Sequence, residues 1–460
     1  MRHAASHTRV MRGVWVLVAG IVLLLSAGSV HAADVRFGTP EATATYGEFI
    51  VFTAPVTAGV PLARVELRVR YPATLGPAII DVPIEPVSGS QQLRYVIDQT
   101  EGGLVPNTPI TATWAAFTAD DADPVLSQPV TVRYDDTSQE WQTIKGDLVT
   151  VHWYQGPRSF AQRQLEIGEQ ALRDANALLG VTDTRPVDFY IYGDQGSFVT
   201  ALGPGTGETT VGTAFADIRT MFGLISPDTL DQPQVAAAVS HELVHLVFAT
   251  ATDNPYRRPP TWLNEGLAVY LTEGYPDQRR SLVEEAVRSR NLLPLDALGG
   301  RFPADLGRGF LAYCEGASAI DYLVRTDGRD ALVALVRAYK DGLTDDEAFT
   351  KALGRDLAAF QAGWLKELGA DQPEQYGPRP APAGPLPPGW DAAVQSPAPG
   401  STPGAANPTA PSTAPATAAP ADAGGSGGGL EVGVVMAAIL AVVAVVVIAL
   451  VVAQRRARRV

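Results

Sequence analysis

Alternation of apolar and polar residues dominates the chain between about residues 34 and 138. The run Arg64-Val65-Glu66-Leu67-Arg68-Val69-Arg70 alternates strictly, and shorter runs of the same kind stand at 48–52, 92–97, 110–117 and 130–134, broken by Pro, Gly and Asp. A period of two buries one face of each strand. Short strands at this spacing predict a small antiparallel β-sandwich of immunoglobulin or fibronectin type over 34–138, a spacer in its simplest role.

The period changes near Trp141. Strands are predicted at 148–154 and 187–192, and an amphipathic helix at Ser159–Leu179 that Gly180 ends. A short segment at 198–202 precedes a strand pair at 209–215 and 219–225. From Pro233 to Gly369 the pattern is almost entirely helical. Strands first and helices afterwards make residues 141–372 an α+β domain, a small sheet lobe followed by a helical lobe.

Neither end of the chain has a globular pattern. Residues 1–32 combine Arg2, Arg9 and Arg12 with an apolar stretch from Val14 to Leu25 and small residues before Ala32, the makings of a secretory signal peptide. Residues 375–429 are rich in Pro, Ala and Gly and have too little apolar surface to fold, so they are expected to form a disordered stalk. Residues 431–453 contain the uncharged run VGVVMAAILAVVAVVVIALVVA, roughly 33 Å long as a helix, which predicts a transmembrane span. The basic tail 454–460 predicts a cytoplasmic end, which puts the intervening domains on the outer side of a cell membrane.

The net charge of −14 includes the arginines of both ends, so the part between them is more acidic still. Such a surface disfavours nucleic acid as a partner. With one cysteine, Cys314, no intrachain disulfide forms, and the domains depend on core burial.

The chemistry concentrates in VAAAVSHELVHLVFATA, residues 235–251. His241 and His245 stand four apart, on one face of the predicted helix, where two imidazoles can close on a single zinc ion. Glu242, beside the first, can take a proton from an activated water. A catalytic zinc takes three protein ligands and keeps one position open. Glu265, twenty residues after His245 on a second helix opened by Pro259-Pro260, supplies the third. Its neighbours Trp262, Leu263, Leu267 and Ala268 imply burial, and a buried carboxylate needs a partner.

HELVH followed by WLNEGLAVY resembles the gluzincins, the thermolysin-like and aminopeptidase-like zinc peptidases, and residues 146–368 look most like the peptidase MA-like family. The resemblance implies a zincin-like catalytic domain, zinc held by His241, His245 and Glu265, and Glu242 as general base. It implies a polypeptide substrate paired to an edge strand, which 211–215 or 219–225 would supply. It also implies a Tyr or His on the oxyanion. No histidine follows His245, so Tyr313 is the candidate, preferred over Tyr322. Two departures stand out. The aspartate that thermolysin-type enzymes carry four residues after the third ligand is Val269 here, leaving Glu273 or Glu315 to support His241. No Gly-x-Met-Glu-Asn stretch precedes the zinc helix, which favours an endopeptidase over an aminopeptidase. The alternative is an inactive surface binding or adhesion protein with a relic peptidase domain. Oligomeric state is not encoded in any motif.

Overall fold

The structure, a computed structural model, describes residues 35–373 apart from 73, 120–122, 184, 204–211, 230–231 and 255–256. The expected signal peptide, stalk, membrane span and basic tail lie outside the described residues. Among those described, no helix is long and apolar enough to cross a membrane. The chain divides between Thr137 and Ser138 into two compact units.

The first unit is all antiparallel strand: β1 (Val35–Phe37), β2 (Glu41–Thr45), β3 (Phe49–Ala58), β4 (Leu62–Arg70), β5 (Ala78–Val82), β6 (Gly89–Asp98), β7 (Thr108–Thr118), β8 (Val125–Leu126) and β9 (Val130–Tyr134). β3 pairs with β6 and with β1 and β2; β4 and β7 pair together, flanked by β5, β8 and β9. Alternate residues Ile50, Phe52, Ala54 and Val56 of β3 share one core with Val65, Leu67 and Val69 of β4 and with Ile110, Ala112 and Trp114 of β7. Two sheets thus bury their inner faces against each other, as the period of two requires.

The second unit opens with a five-stranded sheet in the order β10-β11-β12-β14-β13, formed by β10 (Gln142–Lys145), β11 (Val149–Trp153), β12 (Val187–Tyr192), β13 (Gly212–Phe215) and β14 (Thr220–Leu224). β11, β12 and β14 run parallel, while the outer strands β10 and β13 are antiparallel to their neighbours. A parallel β11–β12 pair needs a long crossover. Helix α1 (Arg158–Leu179) provides it, and the left-handed Gly180 stops it. Two helices are therefore interleaved with the strands instead of following them. The segment at 198–202 belongs to a short helix, α2 (Gln195–Leu202), capped by Asp194.

Among the described residues, seven helices follow: α3 (Pro233–Ala251), α4 (Thr261–Glu273), α5 (Asp277–Ser289), α6 (Leu306–Thr326), α7 (Arg329–Lys340), α8 (Asp345–Leu353) and α9 (Leu357–Leu368). Val149, Val151, Phe189, Ile191 and Met221 of the sheet join α1, α3, α4 and α6 in a single core. α3 is buried continuously from His241 to Phe248, so it has no polar stripe and is a central helix. Gly168 lets α1 lie close over it: a Cβ there would stand 3.2 Å from Leu243.

Candidate metal centre

Pro233 in the first turn of α3 starts the helix where its missing N–H costs nothing, and the pitch then sets His241 above His245 on one face. Their rings are 4.7 Å apart and nearly perpendicular. α4 starts after Pro260, with Thr261 N–H donating to Gly299 O, and returns Glu265 to the same point. Glu265 Oε2 lies 3.3 Å from His241 Nε2 and 3.4 Å from His245 Nε2. All three side chains are buried.

These spacings suit a tetrahedral zinc ion, for which bonds of about 2.0–2.1 Å put neighbouring ligand atoms about 3.3 Å apart. His245 Nε2 is buried without an aligned hydrogen-bond partner, as a lone pair reserved for a cation would be. The other nitrogen of that ring, Nδ1, stands 2.9 Å from Asn264 Oδ1. With Nδ1–H donating to the amide oxygen, Nε2 is left as the electron-pair donor. Asn264 was not foreseen from the sequence. Its one signal there is adjacency to Glu265, which on a helix reads as a surface position.

The electrostatics also fit a cation. Burial opposes ionisation of Glu265, but the two imidazoles overcome it and hold the carboxyl down at about 2. Burial likewise disfavours charge on His245, yet the facing Glu265 pushes it up to about 9. Burial lowers His241. Without metal, a proton on His245 thus balances the carboxylate. A dication would do so with both imidazoles neutral.

Glu242 is buried on the next face of α3, and burial raises its carboxyl to about 7. It lies against the outer strand β13. A Cβ on Gly212 would stand 3.2 Å from Glu242 Cγ, so the bare backbone of the strand passes close to this side chain. Of the two stretches expected to offer an edge, β13 is the edge strand and β14 is internal.

Tyr313 of α6 is wholly buried, its ring 6.4 Å from that of His241, and its hydroxyl has no hydrogen-bond partner among the described residues. Burial, then the charges of Glu265 and Glu242, raise that hydroxyl well above its ordinary range. Tyr322 instead packs on Phe360 and against Gly363. α6 reaches the site because it crosses α4 at two glycines. A Cβ on Gly266 would stand 2.5 Å from the backbone of Gly316, and one on Gly316 would stand 2.9 Å from Trp262 O.

Among the described residues, neither carboxylate expected to support His241 forms a hydrogen bond with it. Glu273 is taken by a two-pronged pair with Arg279, at 2.8 Å from each of its oxygens. Glu315 accepts the Leu293 N–H, 3.1 Å from both of its oxygens. Cys314 is buried with the Arg279 guanidinium 3.7 Å from its sulfur, and burial pushes the thiol up to about 11. His152 stays apart, on β11, stacked on Tyr190 and bridging Thr143 and Asp188 at 3.1 and 3.0 Å.

Residues 167–370 match the family described as the Peptidase MA superfamily. No curated protein matches the chain. Among solved structures, the M1 zinc metallopeptidase from Deinococcus radiodurans is similar at 16% identity and a TM-score of 0.34, covering 76% of this chain and 96% of that one. A mutant of that enzyme gives 15% and 0.36 over the same shares. An aminopeptidase N family protein from Idiomarina loihiensis gives 10% and 0.30, over 72% of this chain and 70% of its own. Scores this low carry no reading of the site; the family match does not depend on them. The segment 167–370, which contains His241, His245 and Glu265, is a Peptidase MA superfamily domain of gluzincin type.

Proposed function

We propose that this chain is a zinc-dependent endopeptidase, anchored to a cell membrane by residues 431–453 with its catalytic unit on the outer side. The observation that carries the peptidase reading is the convergence of His241, His245 and Glu265, whose ligand atoms all lie within 4.8 Å of one another. Zinc held there supplies a Lewis acid that acidifies water and polarises a carbonyl. Glu242 takes the proton of the attacking water and passes it to the leaving amine. Tyr313 donates its hydroxyl to the oxyanion. Asn264 keeps His245 in the ligating tautomer. The edge of β13, outermost in the sheet among the described residues and beside Glu242, pairs with the substrate main chain.

An internal peptide segment fits better than a free amino terminus. Gripping an α-amine takes a carboxylate beyond the ligand and the base. Among the described residues, Glu273 is an acidic side chain whose charge reaches His241, and it is paired with Arg279 at 2.8 Å. The outward location rests on the signal peptide, the apolar run and the arginine tail of the sequence.

Metal analysis of the full chain, with turnover of an unstructured protein such as casein, tests the catalytic reading. One zinc per chain and cleavage that Glu242→Gln abolishes without loss of zinc is the expected outcome. Zinc binding with no cleavage by the wild type would instead favour an inactive binding protein. Resistance to alkaline carbonate extraction from membranes tests the anchor.

A further inference from the structure

β6 is ten residues long, about 33 Å of strand, and pairs along its whole length with β3. Its other side is unpaired among the described residues. An open edge of that length invites a further strand, and a proline, a lysine or a bulge is the usual protection. β6, with the sequence GSQQLRYVID, has no Pro and no Lys, and its register with β3 runs without a bulge. The second sheet of this unit ends differently. Its outer strand β5 is five residues long, with Pro77 ahead of it and Pro83 behind.

The side chains of β6 indicate what this edge fits. Leu93, Tyr95 and Ile97 belong to the core of the sandwich, while Gln92, Arg94, Val96 and Asp98 are exposed on the outer face. Val96, 37% exposed, lies opposite Val51 of β3, and Phe49, also 37% exposed, stands one pair further along. Arg94 has no hydrogen bond or ion pair among the described residues. Asp98 accepts the N–H and the hydroxyl of Thr100 on Oδ1, at 2.8 and 2.7 Å, which leaves Oδ2 open. An unpaired cation and a half-used carboxylate therefore flank an exposed valine, each two residues away from it.

We propose that β6 is the contact of a homodimer, in which it pairs antiparallel with β6 of a second copy and Val96 faces Val96 across a twofold axis. This arrangement is self-complementary. It sets Arg94 of each copy opposite Asp98 of the other, and on the core side it sets Tyr95 opposite Ile97. Sliding one strand by two residues in either direction loses both charge pairs, leaving Arg94 opposite Val96 or Thr100. The main-chain groups of the two edges satisfy each other, and the sheets join into one. A twofold contact of this kind uses up both edges, so assembly stops at two copies. The inference concerns the first unit alone and does not depend on the peptidase reading.

The test uses the full chain in detergent and reads two independent quantities. The first is cross-linking. The single native cysteine, Cys314, is buried, so a cysteine placed on β6 is the one exposed thiol. Val96→Cys meets its own copy at about 4.5–5.5 Å and should be trapped by diamide as a disulfide dimer on a non-reducing gel. Gln92→Cys, on the same face of the same strand, stands about 27 Å from its copy and should cross-link at least about tenfold more slowly. The second quantity is the dimer dissociation constant, from sedimentation equilibrium over a range of concentrations. Arg94→Asp sets acid against acid at both ends of the contact and should raise that constant at least about tenfold, while Arg94→Asp combined with Asp98→Arg should restore it. A monomeric wild type, a dimer that Arg94→Asp leaves unchanged, or equal cross-linking at positions 92 and 96 overturns the proposal. A combined variant that stays as weak as Arg94→Asp overturns the pairing as well.

Discussion

Asn264 Oδ1 stands 2.9 Å from His245 Nδ1, and the same helix turn carries Glu265. One residue thus fixes the tautomer of a ligand while its neighbour closes the ligand set. Replacing Asn264 by Ala frees His245 to rotate and to place its proton on either nitrogen. Zinc affinity should fall by about 10–100-fold, measured by competition with a chromophoric chelator. The fold should be barely affected, because the lost amide is only part-buried.

The contact of Gly266 with Gly316 is backbone on backbone, so no flexible side chain can give way to an added methyl. Gly266→Ala should destabilise the second unit by about 3 kcal/mol, at the upper end of what overpacking costs. Since α4 carries Glu265 and α6 carries Tyr313, prising them apart should also weaken zinc binding. Denaturant midpoints with and without zinc check both effects. A variant as stable as wild type would mean the helices shift at no cost.

Glu315 titrates in the direction opposite to most carboxylates. Burial raises it well above its ordinary range in the folded chain, while the unfolded chain ionises near about 4.3. Its contribution to stability is therefore complete below that lower value and is lost as pH rises towards the folded one. Glu315→Gln keeps an oxygen for the Leu293 N–H and removes the proton linkage. The variant should gain stability over wild type steadily from pH 5 to pH 8, as calorimetry at several pH values would reveal. A constant difference across that range would refute the assignment.

Removing metal leaves Glu265 and two histidines buried without their cation. A chelator should lower the unfolding temperature of the second unit by roughly 10 °C, and zinc should restore it. The Glu265→Ala chain should show little response to either addition. That contrast separates loss of the site from general effects of the chelator.

The convergence of His241, His245 and Glu265 was legible in the sequence because helical pitch alone aligns residues four apart, and because a carboxylate amid Trp262, Leu263 and Leu267 has to be buried. The sandwich strands were legible for a similar reason, the strict alternation along β3, β4 and β7. What escaped depends on contacts distant in sequence. Gly266 and Gly316 are ordinary helix interruptions until α4 crosses α6. Glu315, a candidate support for His241 by sequence, turns out to accept the Leu293 N–H, 22 residues away. The choice between two edge strands was open because β14 becomes internal only by pairing with β12, about thirty residues earlier in the chain, which no local pattern states. α2 is too short for periodicity to separate it from a loop.

Cys314 sits one residue from Tyr313 and packs on the same helix that Gly316 locks to α4. As the chain's only thiol, it offers a built-in stopwatch for the catalytic unit. A maleimide can reach it only when α6 lifts from its neighbours, so labelling in native buffer times the opening of the metal site without any engineered probe. Once the chain is folded, the same burial keeps its lone sulfur from being drawn into a cross-link in oxidising surroundings.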